Sequence, residues 1–245
     1  MKKNKILHIV HDFLRGGIES FLYYLSEEQQ KNKHLEVEIL CLQDRDKIIN
    51  ERIALGNITC TYISIKPNDL SFNKYVKILK LTNQFDIIHF HTFKPLLSFV
   101  LHFSKAKKVI TVHSAGDIFR PRGFKFKLKN KLFEILLNKS MDVNAHNSKY
   151  TKQYWENRGV CSKNNVVIYN GVPFVKKHDK NNAYIDFPEL KNSFIVGTTS
   201  RLIPWKRVDI LINAFSMTKY KENMKLLLVG DGPEKRNAEL LVKKL

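Results

Sequence analysis

The chain has 245 residues, with 42 Lys and Arg against 23 Asp and Glu, a formal net charge of +19 and 43% hydrophobic residues. That apolar content is enough for buried cores, in one large domain or two small ones, while no apolar run reaches membrane-spanning length. Lys2, Lys3 and Lys5 ahead of the short run Ile6–Val10 do not make a signal peptide, and Cys41, Cys60 and Cys161 have neither metal nor redox spacing, so a cytoplasmic protein with reduced thiols is expected. The positive charge predicts attraction to polyanions: nucleic acid, an anionic membrane surface or phosphorylated ligands.

In chain order, short apolar runs alternate with helical patterns, which predicts α/β architecture with a parallel sheet covered on both faces. Ile6–Val10 reads as the first strand, and Gly16-Gly17 as a tight turn into a helix carrying Phe21, Leu22 and Leu25. Glu36–Leu42 and Thr59–Ile65 read as the next strands, followed by a helix over Asn73–Leu81 and a strand at Asp86–Phe90. Lys108–Val112, Met141–Ala145 and Val166–Tyr169 continue the alternation. The segment 174–192 is polar and without periodicity, as a linker should be. A second sheet then starts at Phe194–Thr199, with Lys225–Val229 as its next strand. The expected division is therefore 1–173, a linker at 174–192, and 193–245. Two strands are fewer than the roughly five or six that cover a Rossmann-like sheet, so the second domain is expected to be incomplete.

The segment Arg201-Leu-Ile-Pro-Trp-Lys206 lies between the strand at 194–199 and a helical pattern carrying Val208, Leu211, Ile212 and Phe215. Arg201 and Lys206 thus fall at the carboxyl end of a strand beside the next helix start, where open α/β sheets bind ligands and where an anion such as phosphate is favoured. A surface loop with ordinary solvated cations is the alternative. His113 ends its strand and is a candidate for acid–base or ligand contact, against a hydrogen-bonded histidine at a strand end. His89 and His91 share one face but lack a third ligand with suitable spacing, so no metal site is expected; His8 and His11 read as isolated. No Ser-His-Asp or Cys-His arrangement points to hydrolysis.

Taken together, Gly16-Gly17-Ile18-Glu19, Thr111-Val112-His113-Ser114, Asn147-Ser148, Asn170-Gly171-Val172-Pro173, Arg201 with Lys206, and Leu228-Val229-Gly230-Asp231-Gly232-Pro233 resemble, in order, the family 4 (group 1) retaining glycosyltransferases. The resemblance implies the GT-B fold, two Rossmann-like domains facing across a cleft. It implies transfer of a sugar from a nucleotide-diphosphate sugar to a lipid-linked or other saccharide acceptor, with retention, in surface polysaccharide synthesis. By that resemblance Arg201 and Lys206 hold the donor diphosphate, His113 lies beside the transferred sugar, and Gly16, Gly17 and Gly230 line the donor site. Fixed cations at a leaving diphosphate need no metal, so no cofactor is expected.

Phe119–Leu137 holds Arg120, Arg122, Lys125 and Lys127 ahead of a helical stripe of Leu128, Leu132, Leu136, Phe133 and Leu137. The expectation is a loop over 119–127 able to touch an anionic membrane on the cytoplasmic side, and a helix whose stripe packs inward. No RNP-like or helix-turn-helix pattern supports specific nucleic-acid binding. Two other readings stay open: a basic polyanion-binding protein, and a truncated non-catalytic remnant that binds nucleotide weakly.

Overall fold

A computed structural model describes residues 3–12, 16–43, 58–66, 69–114, 123–160, 164–172, 187–219 and 223–245, with the side chains of Lys125, Phe126 and Lys129 excepted. The chain forms two compact units, Met1–Pro173 and Phe174–Leu245. The fold class is α/β, as the alternation predicts.

The first unit is built on a parallel sheet of β1 (Asn4–Val10), β2 (Leu35–Cys41), β3 (Thr59–Tyr62), β4 (Ile87–Phe90), β5 (Lys107–Val112), β6 (Val143–His146) and β7 (Asn165–Val167), in the order β3-β2-β1-β4-β5-β6-β7. Its helices are α1 (Gly17–Gln30), α2 (Phe72–Thr82), α3 (Pro95–Leu101), α4 (Phe124–Lys139) and α5 (Lys149–Glu156). Strand order reverses between β1 and β4, and the crevice at such a switch point is the ligand position of this architecture. One face of the sheet is apolar: Leu7, Ile9, Ile88, Phe90, Ile110 and Val112 pack with Ile78, Leu97, Leu101, Leu137 and Trp155 from the helices. A smaller cluster of Val10, Leu22, Ile39, Cys41 and Ile58 includes a residue of α1. Cys41 and Cys60 are free thiols, and burial pushes Cys41 up to about 11; Cys161 lies outside the described residues.

Strand ends shift slightly from the sequence reading. β3 stops at Tyr62, although Ile63 and Ile65 still donate backbone hydrogen bonds to Cys41 and Leu42. The basic segment needs a larger correction. α4 begins at Phe124, so Lys125 and Lys127 are helical and not part of a loop, while Arg120 and Arg122 lie outside the described residues. The inward stripe is also wrong in part: Leu128 is 49% exposed and Leu132 39%, whereas Leu136 and Leu137 are buried. Each i+4 step rotates by about 40°, so Leu128 points about 80° away from Leu136. The buried face instead runs through Phe133, Leu136 and Leu137, with Phe133 against Phe93 and Trp155 at ring distances of 4.7 and 4.9 Å.

In the second unit β8 (Phe194–Thr199) and β9 (Met224–Val229) pair in parallel, joined through α6 (Val208–Ser216) and followed by α7 (Lys235–Lys244). Leu202, Val208 and Ile212 form its core with Leu226, Leu228, Ala238 and Leu241. Most of the expected linker lies outside the described residues, but Pro188–Leu190 forms a short 3-10 turn that buries Leu190. That apolar anchor makes the end of the 174–192 segment part of the second unit's structure.

Candidate functional site

Within the first unit, a ladder of histidines crosses the switch point. His8 of β1 stands opposite His89 of β4 in the parallel register, and His91 and His113 are the first residues past β4 and β5. Alternation along the strands places His89, His91, Thr111 and His113 on one side. Gln29 of α1 meets His8 there: His8 Nε2 lies 2.7 Å from Gln29 Oε1. His8 Nδ1 is 3.0 Å from His91 Nε2, and His91 Nδ1 is 3.2 Å from His113 Nε2. His89 turns to Thr111, with Nε2 at 2.7 Å from Oγ1. Phe21 of α1 covers the rings of His91 and His113 edge-on at 6.0 and 5.5 Å.

Burial holds these rings neutral. It pushes His8 and His113 down to about 4 and His89 and His91 well below the usual imidazole range. A charged imidazole would lose its hydration there, and hydrogen bonds to neighbouring neutral rings do not replace it.

His113 is also clamped through its backbone. Asn147 Nδ2 donates to the His113 carbonyl at 2.9 Å, and Trp155 Nε1 donates to the Ser114 carbonyl at 3.1 Å. Asn147 Oδ1 in turn accepts from Thr151 Oγ1, while Ser148 caps α5 by accepting from the Thr151 N–H. The Asn147-Ser148 pair is therefore a helix cap that fixes His113 from below.

The glycine pair divides its work. Gly16 caps α1 in an extended conformation, and a Cβ there would run into the Glu19 carboxylate; Gly17 opens the helix with nothing near the place of a Cβ. Glycine at 16 thus lets Glu19 fold back over the helix start.

In the second unit, Arg201 and Lys206 are exposed on the loop leaving the carboxyl end of β8, as the sequence predicts. Pro204–Lys206 form a 3-10 turn, and Arg207 follows in the left-handed region at φ 51°. Backbone hydrogen bonds zip this loop to the one after β9: Ser200 N to Val229 O, Leu202 N to Asp231 O and Glu234 N to Leu202 O, at 3.0, 2.8 and 3.0 Å. Gly230 and Gly232 permit that approach, since a Cβ at either would overlap the Ser200 or Leu202 carbonyl. Gly230 accordingly stands against the backbone that carries Arg201. The loop presents three cations, Arg201, Lys206 and Arg207, and they are not equivalent. Arg207 is held by Asp209 through two hydrogen bonds of 3.1 and 2.9 Å, whereas Arg201 and Lys206 have no carboxylate partner among the described residues.

Sequence reasoning missed His8, which it read as isolated, and Gln29. His8 supplies the third member of a group with His89 and His91 whose ligand atoms lie within 4.8 Å of one another. One further pattern bears on metals: Asp44-Arg45-Asp46 is an Asp-x-Asp sequence, the cation-holding pattern of sugar transferases of another fold, and it lies outside the described residues.

Comparison with known proteins gives the family. The Glycosyltransferase Family 4 model matches residues 15–174, and the Glycosyl transferases group 1 model matches residues 180–245. The chain belongs to glycosyltransferase family 4. No protein of curated function matches it significantly. Among solved structures it is similar to Anabaena Alr3699/HepE in complex with UDP-glucose, at 20% identity and a TM-score of 0.77 over 98% of this chain and 66% of that one. It is also similar to a glycosyltransferase from Rickettsia africae, at 21% identity and a TM-score of 0.71 over 100% and 65%. A UDP-GlcNAc 2-epimerase from Neisseria meningitidis bound to UDP-GlcNAc aligns at 13% identity and a TM-score of 0.59 over 98% and 69%. These likenesses establish the GT-B type of fold, and the family 4 chain spans about two thirds of the length of the Anabaena and Rickettsia proteins.

Proposed function

We propose that this protein transfers a sugar from a nucleotide-diphosphate sugar to a lipid-linked or other saccharide acceptor, with retention of configuration and without a metal. The observation that carries this reading is the pair of exposed cations, Arg201 and Lys206, without a carboxylate partner among the described residues, on a loop pinned by backbone hydrogen bonds at the carboxyl end of β8. Membership of family 4 and the UDP and UDP-glucose complexes of the Anabaena protein support it.

The chemistry follows from charge. As the glycosidic bond to the diphosphate breaks, negative charge grows on the departing phosphate and the anomeric carbon becomes oxocarbenium-like. Cations held in place before the reaction stabilise that state more than the ground state. Arg201 suits bidentate contact with phosphate oxygens and Lys206 point-charge neutralisation. The acceptor hydroxyl attacks from the face that the diphosphate leaves. His113, clamped by Asn147 and neutral, contacts hydroxyls of the transferred sugar and does not serve as a cationic acid.

The setting is the cytoplasmic membrane surface, in the synthesis of a surface polysaccharide. The net charge of +19 and the exposed Phe124 and Lys127 at the start of α4 support an anionic-lipid contact that also includes Arg120, Arg122 and Lys125. Among the described residues no helix is long and apolar enough to cross a membrane.

The test is incubation with UDP- and GDP-hexoses, with and without membrane-extracted lipid-linked saccharides, in EDTA. Acceptor-dependent release of nucleoside diphosphate with label in the saccharide is the expected result. Acceptor-independent interconversion of the nucleotide-sugar would replace the reading by an epimerase, and transfer abolished by EDTA would reject its metal-free form.

A further inference from the structure

We propose that Gln29 of α1 sets the proton positions along the buried histidine chain, so that His113 carries its hydrogen on Nε2 and keeps Nδ1 as an acceptor for a ligand hydroxyl. The carboxamide oxygen of Gln29 can only accept. His8 Nε2, 2.7 Å from Gln29 Oε1, must therefore donate. A neutral imidazole has one N–H, which leaves His8 Nδ1 as a lone pair. His91 Nε2 at 3.0 Å is then the donor to it, and His91 Nδ1 is the acceptor in its turn. His113 Nε2 at 3.2 Å donates to that nitrogen, and Nδ1 of His113 is left bare. Among the described residues nothing bonds to His113 Nδ1. Burial of His8 and His91, with partial burial of His113, disfavours the alternative in which a doubly protonated ring breaks the order.

Three imidazoles in series therefore point their dipoles the same way, each bond polarising the next. Gln29, His8 and His91 are positioning residues, acting through the tautomer of His113. The identity of the hydroxyl rests on the reading of the protein as a nucleotide-sugar transferase, for which a neutral acceptor beside the transferred sugar selects a ligand that donates there. The order of the protons does not depend on that reading.

The same nitrogens invite comparison with a zinc-type site, since His8, His89 and His91 form a group of three. Two nitrogens bound tetrahedrally at about 2.0–2.1 Å stand roughly 3.3–3.4 Å apart. The 3.0 Å between His8 Nδ1 and His91 Nε2 fits a shared hydrogen better. The group also holds no carboxylate to offset a buried divalent charge.

The test is long-range 15N–1H correlation of histidine rings in the histidine-labelled 245-residue chain, with His113 assigned by the signal lost in His113→Gln. The Nε2–H tautomer is expected at His8, His91 and His113. Gln29→Glu, whose carboxylate still only accepts, should keep that pattern, and Gln29→Ala should leave His113 a mixture of both tautomers. The ring signal of His146, buried at the end of β6, reports in each variant whether the unit is folded. An Nδ1–H tautomer at His113 in the parent chain overturns the proposal, as does a Gln29→Ala spectrum identical to the parent. A reversal in Gln29→Glu overturns it even if the alanine variant does not fold. One equivalent of Zn2+ that shifts His8, His89 and His91 to metal-bound positions would replace the proton chain by a metal site. Sugar transfer enters none of these readouts, so its absence bears on the functional reading alone.

Discussion

Arg207 is the residue that separates charge from function in the second unit. It is adjacent to Lys206, yet Asp209 already holds its guanidinium. We expect Arg201→Ala or Lys206→Ala to slow transfer by about two to three decades in turnover assays, the scale for losing one preorganised charge, with Arg207→Ala close to the parent. The histidines make a prediction about pH. An unfolded histidine titrates at about 6.5, while burial pushes His8 and His113 down to about 4. Below pH 6.5 the unfolded chain binds protons that the folded chain refuses, so stability falls as pH drops from about 6.5 towards 4, by up to about 1.4 kcal/mol per pH unit for each such histidine. Thermal melting should show Tm falling between pH 7 and pH 5; a Tm independent of pH there contradicts the neutral buried chain. Arg201 and Lys206 were legible because strand, breaker and helix follow each other within a few residues. His8 was not: its partner His91 is 83 residues away, and parallel pairing of β1 with β4 leaves no local pattern.

At the scale of elements, most strands were legible as short continuous apolar runs: Ile6–Val10 is buried throughout, as a strand covered on both faces should be, whereas every residue of Phe194–Thr199 is half-buried or exposed. α4 was legible as a helix but not in its facing. Apolar residues cover much of its circumference, and only contact with Phe93 and Trp155 selects the side that is buried. Leu137→Ala should therefore cost about 2–5 kcal/mol in denaturant unfolding, and Leu128→Ala about 0.5 kcal/mol or less. Equal costs would return the stripe to the face first expected. The glycines after β9 were legible as a motif, but their physical reason was not, since it lies in the carbonyls of Ser200 and Leu202. Gly232→Ala, at φ 152° and against the Leu202 carbonyl, should cost about 1–3 kcal/mol in strain and loosen the loop that carries Arg201. Chemical denaturation of the variant checks the first effect and nucleotide binding the second.

For the whole molecule, two compact units and a net charge of +19 set the expectations. Sedimentation with anionic vesicles should fall as salt rises and when Arg120, Arg122, Lys125 and Lys127 are all changed to serine. Equal sedimentation of parent and variant would make that segment an ordinary solvated surface. The family was legible from an ordered series of short motifs spread over both units, though each motif alone is weak. The central claim is that the Arg201–Lys206 loop binds the diphosphate of a nucleotide, and calorimetry with UDP and GDP tests it most directly. One of these should bind the parent chain, with affinity lower by about tenfold or more in Arg201→Ala and in Lys206→Ala, the scale of one charge-assisted hydrogen bond, and nearly unchanged in Arg207→Ala. Binding of equal strength in all four proteins, or to none of them, would contradict the account.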